Sequence, residues 1–191
     1  MILLYLSLVL AAAAMPVGLK WKKISYGLII AGSLIMAIFT ILDGGQFTYP
    51  LAYFPLIAAI AWILVSIFSL SYSAHYGKWL TPLFAMTVFG MMVILESTDY
   101  ITFIVGWEIM SIPAYASIGL NKEHWNAAYV FMVFGEISTV FLILGAILAI
   151  GETGTLDFRF QSLTSDIPLL LIALGCMTKM GITPFMISEW L

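Results

Sequence analysis

The feature that most constrains this sequence is a series of long apolar runs separated by short polar connections. A helix needs about 20 apolar residues to cross the hydrocarbon core of a bilayer. Seven segments have roughly this length: 1–19, 24–42, 51–72, 79–97, 100–120, 126–150 and 167–187. Only 9% of the residues are charged, whereas soluble domains carry about 25%. The sequence therefore predicts an all-α, polytopic membrane helix bundle, with residues 1–191 forming a single transmembrane domain.

The charges of the connections differ between the two sides of this predicted bundle. The connections after helices one, three and five hold five lysines against one acid, Glu123: Lys20, Lys22, Lys23, Lys78 and Lys122. The connections after helices two, four and six hold six acids against one base, Arg159: Asp43, Glu96, Asp99, Glu152, Asp157 and Asp166. Because basic residues concentrate in the cytoplasmic loops of membrane proteins, we expect the N-terminus to lie outside.

Three ionisable residues fall well inside the apolar segments. At 1.5 Å per residue, Glu108 lies roughly 12 Å, Glu136 roughly 15 Å and Lys179 roughly 18 Å from the start of its helix. All three depths fall near the middle of a hydrocarbon core about 30 Å thick. A single charge at that depth costs about 3 kcal/mol on insertion scales, and such residues usually mark ion pathways. We therefore predict that Glu108, Glu136 and Lys179 take part in ion translocation, although charges of this kind can also hold helices or subunits together.

Hydroxyl side chains accompany these three residues at helical spacing. They lie three, four or seven residues away on the same helix: Ser111 and Tyr115 with Glu108, Thr139 with Glu136, and Thr183 with Lys179. Residues three or four apart share a face of a helix. We therefore expect three polar stripes that face one another inside the bundle.

Two prolines interrupt the helices that carry Glu108 and Lys179. Pro184 has no N–H, so the carbonyl of Met180 loses its helical partner, and Pro113 does the same to Ile109. An interrupted helix at membrane depth is tolerated where it faces protein or a watery cavity, and broken helices mark ion sites in transporters. The sequence predicts that the seventh helix is broken around Pro184.

The sequence shows no motif that would bind a redox centre. The single cysteine, Cys176, excludes an internal disulfide and a cysteine-ligated cluster, and no glycine-rich phosphate loop is present. We expect no cofactor and no catalytic centre in this chain. Whether it is a subunit of an enzyme complex is left open by these observations.

Two stretches resemble a known family. The segment DYITFIVGWEIMSIPAYASIGL, at 99–120, is similar to the fifth helix of the antiporter-like subunits of respiratory complex I, multisubunit sodium/proton antiporters and membrane-bound energy-converting hydrogenases. The segment GCMTKMGITPFMISEWL, at 175–191, is similar to their broken seventh helix. The resemblance implies that Glu108 and Lys179 are the acid and the lysine of the ion path. Full members have about fourteen helices in two inverted repeats, so we expect this chain to be a fragment or a split half.

The resemblance implies an ion-translocating subunit, for H⁺, Na⁺ or both, in a multisubunit redox-driven complex of a prokaryotic cell membrane. The complex would be NADH-quinone oxidoreductase-like, hydrogenase-like or sulfur-reductase-like. Expected partners are the bilayer, membrane subunits that supply the second half-channel, and redox subunits with iron–sulfur or nickel–iron sites, but no nucleic acid. The rival interpretations are a membrane scaffold subunit that conducts nothing and a small stand-alone transporter. A half-channel open to one side argues against the last.

Overall fold

The chain is helical in a computed structural model that describes residues 2–42, 53–73, 77–158 and 163–180. Within these ranges there are seven α-helices, with a short 3₁₀ turn, Lys122–His124, before the sixth. Their bounds are α1 Ile2–Gly18, α2 Lys22–Leu42, α3 Tyr53–Tyr72, α4 Leu80–Glu96, α5 Tyr100–Ile118, α6 Trp125–Thr153 and α7 Ile167–Lys179. The predicted helix bundle is confirmed, and the ends of α1 to α6 and the start of α7 agree with the predicted ones to within about three residues. The predicted end of the seventh segment, at 187, lies outside the described residues, and α7 is described only to Lys179.

Most of these helices are suited to a membrane by length and composition. By these criteria α2, α3, α5 and the stretch Lys122–Thr153 are each long and apolar enough to cross a bilayer. The helices α1, α4 and α7 are apolar but shorter, with 17, 17 and 13 residues in the described part of the chain. Large apolar side chains cover the outside of α3, where Phe54, Ile57 and Leu64 are all about 60% exposed or more. The fold is therefore a polytopic membrane bundle.

The first four helices share one apolar core. Its buried side chains are Ala11, Ala14, Tyr26, Ile29, Met36, Trp62, Ala85, Val88 and Met92. The small residues of α1 allow close approach of the helix backbones, which favours helix association in membranes. Gly18 at the end of α1 lies against Thr81 at the start of α4, and Ser7 near the start of α1 contacts Glu96 at the end of α4. Hence α1 and α4 run antiparallel.

Helix α4 joins this core to the remaining helices by packing tightly on α5. A Cβ built on Gly90 would meet the backbone of Met110, 2.7 Å from its Cα, and one on Gly106 would lie 3.0 Å from Ile94. Both contacts require glycine, because a larger side chain would push the two backbones apart. From α5 the packing continues to α6 and from α6 to α7. The resulting order places α5, α6 and α7 side by side on the α4 side of this core.

Defined caps end the helices on the side that holds the acidic connections. Asp99 caps α5 by accepting a 2.8 Å hydrogen bond from the backbone N–H of Thr102. This hydrogen bond holds the pKa of Asp99 below its usual value of 3.8. Gly154 ends α6 with φ 71°, a left-handed conformation that suits glycine. Asp99 and Asp157 then form an antiparallel bridge between the two connections.

Glu96 and Pro184 are the two residues where the described structure and the sequence predictions have to be compared directly. The charge count placed Glu96 in a polar connection, but it is the last residue of α4 and its side chain packs against α1. The helix continues to this residue because Ser97 is the first residue with extended backbone, at ψ 141°. The predicted break around Pro184 lies outside the described residues, since α7 is described as far as Lys179 with Met180 as its C-cap.

Candidate mid-membrane polar site

The ammonium group of Lys179 crosses from α7 to α5. Lys179 is the last residue of α7 and is half-buried, and its Nζ donates a hydrogen bond to Ser111 Oγ. Ser111 is buried, and its hydroxyl donates in turn to the carbonyl oxygen of Trp107, at 2.5 Å. A serine oxygen has two lone pairs and one hydrogen, so Ser111 accepts from the lysine while it donates to its own helix. The serine thus gives the ammonium a polar partner inside an apolar bundle.

Two aromatic rings also contact this ammonium. Nζ of Lys179 lies 5.2 Å from the ring centre of Trp107 and 5.9 Å from that of Phe131. A cation within about 6 Å of an aromatic ring is attracted by the negative face of the ring. Trp107 on α5 and Phe131 on α6 therefore stabilise the charged lysine without providing an opposite charge.

The carboxylate of Glu108, on α5, is hydrogen-bonded to a residue of α6. Its Oε1 accepts a hydrogen bond from Thr139 Oγ1 at 2.5 Å, and Thr139 on α6 is buried. The carbonyl of Gly135 lies further from the same hydroxyl, at 3.1 Å. Because the hydroxyl has one hydrogen, the shorter and charge-assisted bond to the carboxylate is the preferred one. Thr139 therefore fixes the carboxylate of Glu108.

Glu108 and Lys179 meet on one face of α5 without direct contact. Ser111, the partner of Lys179, lies three residues after Glu108 and so shares its face of the helix. In the part of the chain that the structure describes, Lys179 bonds to Ser111 and makes no ion pair with Glu108. The ammonium nevertheless interacts electrostatically with the carboxylates of Glu108 and Glu136. The predicted Glu–Lys pair thus stays a prediction, and the serine that binds Lys179 lies one helical turn from Glu108.

The other predicted site residues are placed differently. Glu136 is exposed on α6, whereas Thr139, three residues later, is buried beside Glu108. The predicted stripe of α6 is therefore divided between an inner and an outer face. Tyr115 is half-buried on α5. Thr183 and Pro184 lie outside the described residues, so their predicted roles remain untested.

Sequence reasoning missed three contributors to this site. Trp107 and Phe131 look like ordinary apolar residues of membrane helices, and only their neighbour Lys179 makes them part of a polar site. Ser138 is buried and donates a 2.8 Å hydrogen bond to the carbonyl of Gly175, which fixes α7 against α6 one turn before Lys179. The indole N–H of Trp107 is buried and has no partner in the described ranges. It can donate to a water molecule in the site.

The polar site is built from hydrogen-bonding groups of three helices. The described residues contain no group of three or more His, Cys, Asp and Glu side chains that could hold a metal ion. What they contain is one cation, one carboxylate and three hydroxyls contributed by three helices. Such groups can pass a proton or exchange partners when one of them changes charge.

Comparison with known proteins places these residues in a family. Residues 97–191 match the family described as NADH:quinone oxidoreductase/Mrp antiporter, TM. NADH-quinone oxidoreductase subunit N of Mycobacterium bovis is 34% identical over 119 residues, which cover 56% of this chain and 22% of that protein. Subunit N of Trichlorobacter lovleyi is 30% identical over 146 residues, or 69% of this chain and 30% of that protein. The chain belongs to the antiporter-like subunit superfamily.

The matched part of this antiporter-like subunit contains the whole polar site. Glu108, Ser111, Thr139 and Lys179 all fall within 97–191. The family resemblance read from helices five and seven is thereby confirmed. The aligned part of this antiporter-like subunit spans less than a third of the length of these two relatives.

Proposed function

We propose that this chain is an ion-translocating membrane subunit of a redox-driven respiratory complex of the NADH-quinone oxidoreductase type. The observation that carries the proposal is the position of Lys179, whose ammonium reaches from α7 to α5 and bonds to Ser111, one turn from Glu108. Relatives named NADH-quinone oxidoreductase subunit N favour this complex over hydrogenase-like and sulfur-reductase-like ones. The proposed partners are the other subunits of such a complex, including those with redox centres, in a bacterial cell membrane.

The proposed mechanism is an exchange of partners by Lys179. In one state the ammonium donates to Ser111, and in the other it pairs directly with the carboxylate of Glu108. Both groups lie on the same face of α5, about one turn or roughly 5 Å apart along the helix, so a change of lysine rotamer can move the ammonium between them. The rings of Trp107 and Phe131 lie beside the path of the ammonium. The ammonium therefore keeps a favourable electrostatic contact while it moves.

The charge on Glu108 would decide which state is preferred. An ionised Glu108 attracts the ammonium, and the hydrogen bond from Thr139 keeps the carboxyl group of Glu108 in place. When Glu108 takes up a proton, the ammonium loses its counter-charge in a medium where an isolated charge is costly. The lysine proton can then leave through hydrogen-bonded water to the aqueous phase, which removes the isolated charge from the apolar bundle. Each cycle of pairing and separation would move one proton between Glu108 and the groups beyond Lys179.

The proposal is tested by ion uptake into vesicles that contain the assembled complex. Glu108→Gln and Lys179→Ala should each abolish uptake, because one removes the titrating acid and the other the mobile cation. Glu123→Gln and Lys122→Ala are matched controls, since these exposed residues occupy the connection between α5 and α6. Both controls should retain uptake. Parallel measurements of pH change and of sodium content would identify the ion.

The same variants distinguish conduction from scaffolding. A conducting subunit predicts that Glu108→Gln and Lys179→Ala leave the amount of assembled complex unchanged while uptake is lost. If instead the complex fails to assemble and residual complex pumps normally per molecule, the chain is a scaffold. Wild-type uptake in either variant would contradict the proposed role of the pair.

A further inference from the structure

Glu96 places a carboxyl group between α1 and α4, away from the site described above. It is the last residue of α4 and is only partly accessible, and its Oε2 is buried without a hydrogen-bond partner in the described ranges. Its Oε1 lies 3.4 Å from the hydroxyl oxygen of Ser7, a residue of α1 that is completely buried. A buried polar atom with no partner is costly, and much more so when it carries a charge.

The hydrogen of the Ser7 hydroxyl is already used. Ser7 Oγ lies 2.7 Å from the carbonyl oxygen of Leu4, a short and favourable distance for an O–H donor. A carbonyl oxygen cannot donate, so the single hydrogen of Ser7 belongs to this bond. The Ser7 oxygen still has its two lone pairs, and these can only accept hydrogen bonds. For Ser7 and Glu96 to form a hydrogen bond, the hydrogen must therefore be on Glu96.

No cation compensates a charge on Glu96 among the described residues around it. The helices packed against α4 are α1, α2 and α5, and α3 contacts it through the hydrogen bond of Trp62 to Met91. The titratable side chains of α3, Tyr53 and Tyr72, bring no positive charge. Helix α1 has one titratable side chain, the exposed Tyr5, and the basic residues of α2, Lys22 and Lys23, lie at its opposite end. Helix α5 adds Tyr100, Glu108 and Tyr115, and the cap Asp99 precedes it, so none of these groups supplies a positive charge. An ionised Glu96 would be buried without a counter-charge.

We propose that Glu96 is a proton-binding site that holds a neutral carboxylic acid at neutral pH. Its O–H donates to Ser7, and the hydroxyl of Ser7 donates to Leu4, so one continuous chain of hydrogen bonds joins the end of α4 to the first turn of α1. The oxygen left without a partner is then a neutral carbonyl oxygen, whose burial costs far less than that of a charged oxygen.

This site is separate from the one that contains Glu108. The contacts of Gly90 with Met110 and of Gly106 with Ile94 set the register of α4 and α5. In that register Glu96 lies about four residues, or roughly 6 Å, beyond the level of Glu108 toward the start of α5. It also projects toward α1, whereas Glu108 contacts α6. The proposal therefore stands whether or not the chain conducts ions.

Infrared spectroscopy of the full chain in phospholipid vesicles tests the proposal directly. The difference spectrum between wild type and Glu96→Gln at neutral pH should contain a carbonyl band of a protonated carboxylic acid, and this band should shift in heavy water. Ser7→Ala leaves the acid but removes its acceptor, so it should shift the band without abolishing it. A difference spectrum with carboxylate bands and no carboxylic acid band would overturn the proposal.

The unfolding temperature is a second test of the proposal, with Glu152 as the control acid. Glu152 at the end of α6 accepts three hydrogen bonds on Oε2, from Thr164 N–H, Thr164 O–H and Ser165 N–H. An amide oxygen is a weaker hydrogen-bond acceptor than a carboxylate oxygen, so Glu152→Gln should lower the unfolding temperature. Glu96→Gln replaces one neutral donor with another and should leave that temperature unchanged. A decrease in Glu96→Gln as large as that in Glu152→Gln would show that Glu96 is ionised and paired.

Discussion

The contact between α6 and α7 at Gly145 determines how far Lys179 can reach. A Cβ on Gly145 would lie 2.7 Å from Ile172 Cγ1, 2.9 Å from the carbonyl oxygen of Pro168 and 3.1 Å from the backbone nitrogen of Ile172. The side chain of Ile172 can rotate, but the two backbone atoms move only with α7. Since ordinary contact begins at 3.4 Å, Gly145→Ala must displace the start of α7 by at least about 0.5 Å.

The expected cost follows from two opposing effects. Extra volume in a packed interior usually costs about 1–3 kcal/mol, while alanine is favoured over glycine in a helix by up to about 1 kcal/mol. With the full helix gain subtracted, Gly145→Ala should be net destabilising by up to about 2 kcal/mol. Gly151→Ala is the matched control on the same helix, because a Cβ there would meet nothing within 4 Å. That control should be neutral or stabilise the protein by up to about 1 kcal/mol.

Both variants can be measured by reversible unfolding in mixed detergent micelles and by ion uptake into vesicles. Gly145→Ala should lower the unfolding midpoint and reduce uptake, because a displaced α7 moves Lys179 relative to Ser111. Gly151→Ala should lower neither the unfolding midpoint nor the uptake. Equal midpoints for the two variants would refute the reasoning, since it attributes the whole difference to the backbone of α7.

Two further predictions concern single hydrogen bonds. Ser111→Ala removes the partner of the Lys179 ammonium, and because a bond to a charged group contributes about 1.5–3 kcal/mol, ion uptake should fall at least about tenfold. Ser117→Ala removes only a bond to its own helix and should retain uptake. Equal uptake rates in the two variants would contradict this role for Ser111. Asp99→Ala removes the cap on α5 and should cost about 0.5–2 kcal/mol at neutral pH. Folding lowers the pKa of Asp99 through the N–H of Thr102, so its contribution is complete above the unfolded pKa and declines as the pH falls through the folded one. The unfolding midpoints of wild type and Asp99→Ala should therefore converge as the pH falls below 3.8, and a constant gap would argue against this role.

Much of the architecture could be predicted because transfer between water and lipid depends on local composition. A run of about twenty apolar residues is read from neighbouring residues alone, and helix ends follow from local caps such as Asp99 and Gly154. The same reasoning identified Glu108 and Lys179, since a charge within an apolar run is visible without knowledge of the fold. The acid and the lysine then proved to approach the same face of α5.

The direction in which each side chain points was less predictable. Glu136 and Thr139 are three residues apart, and the sequence suggested one common stripe, yet the first is exposed and the second is buried. An apolar membrane helix has no strong polar face to reveal which side packs inward. For Glu96, the count of loop charges placed it in a connection, although α4 continues to this residue and buries its carboxyl beside Ser7.

The sequence by itself determined that this protein is a membrane helix bundle with charged residues inside its apolar segments, because hydropathy and charge are properties of single residues and their neighbours. Only the tertiary structure decided which groups meet. Glycine contacts set the register of α4 with α5 and of α6 with α7, and that register brings Lys179 to Ser111 and Thr139 to Glu108. These contacts join residues 31 and 68 positions apart, and their geometry depends on backbone distances that no local pattern encodes.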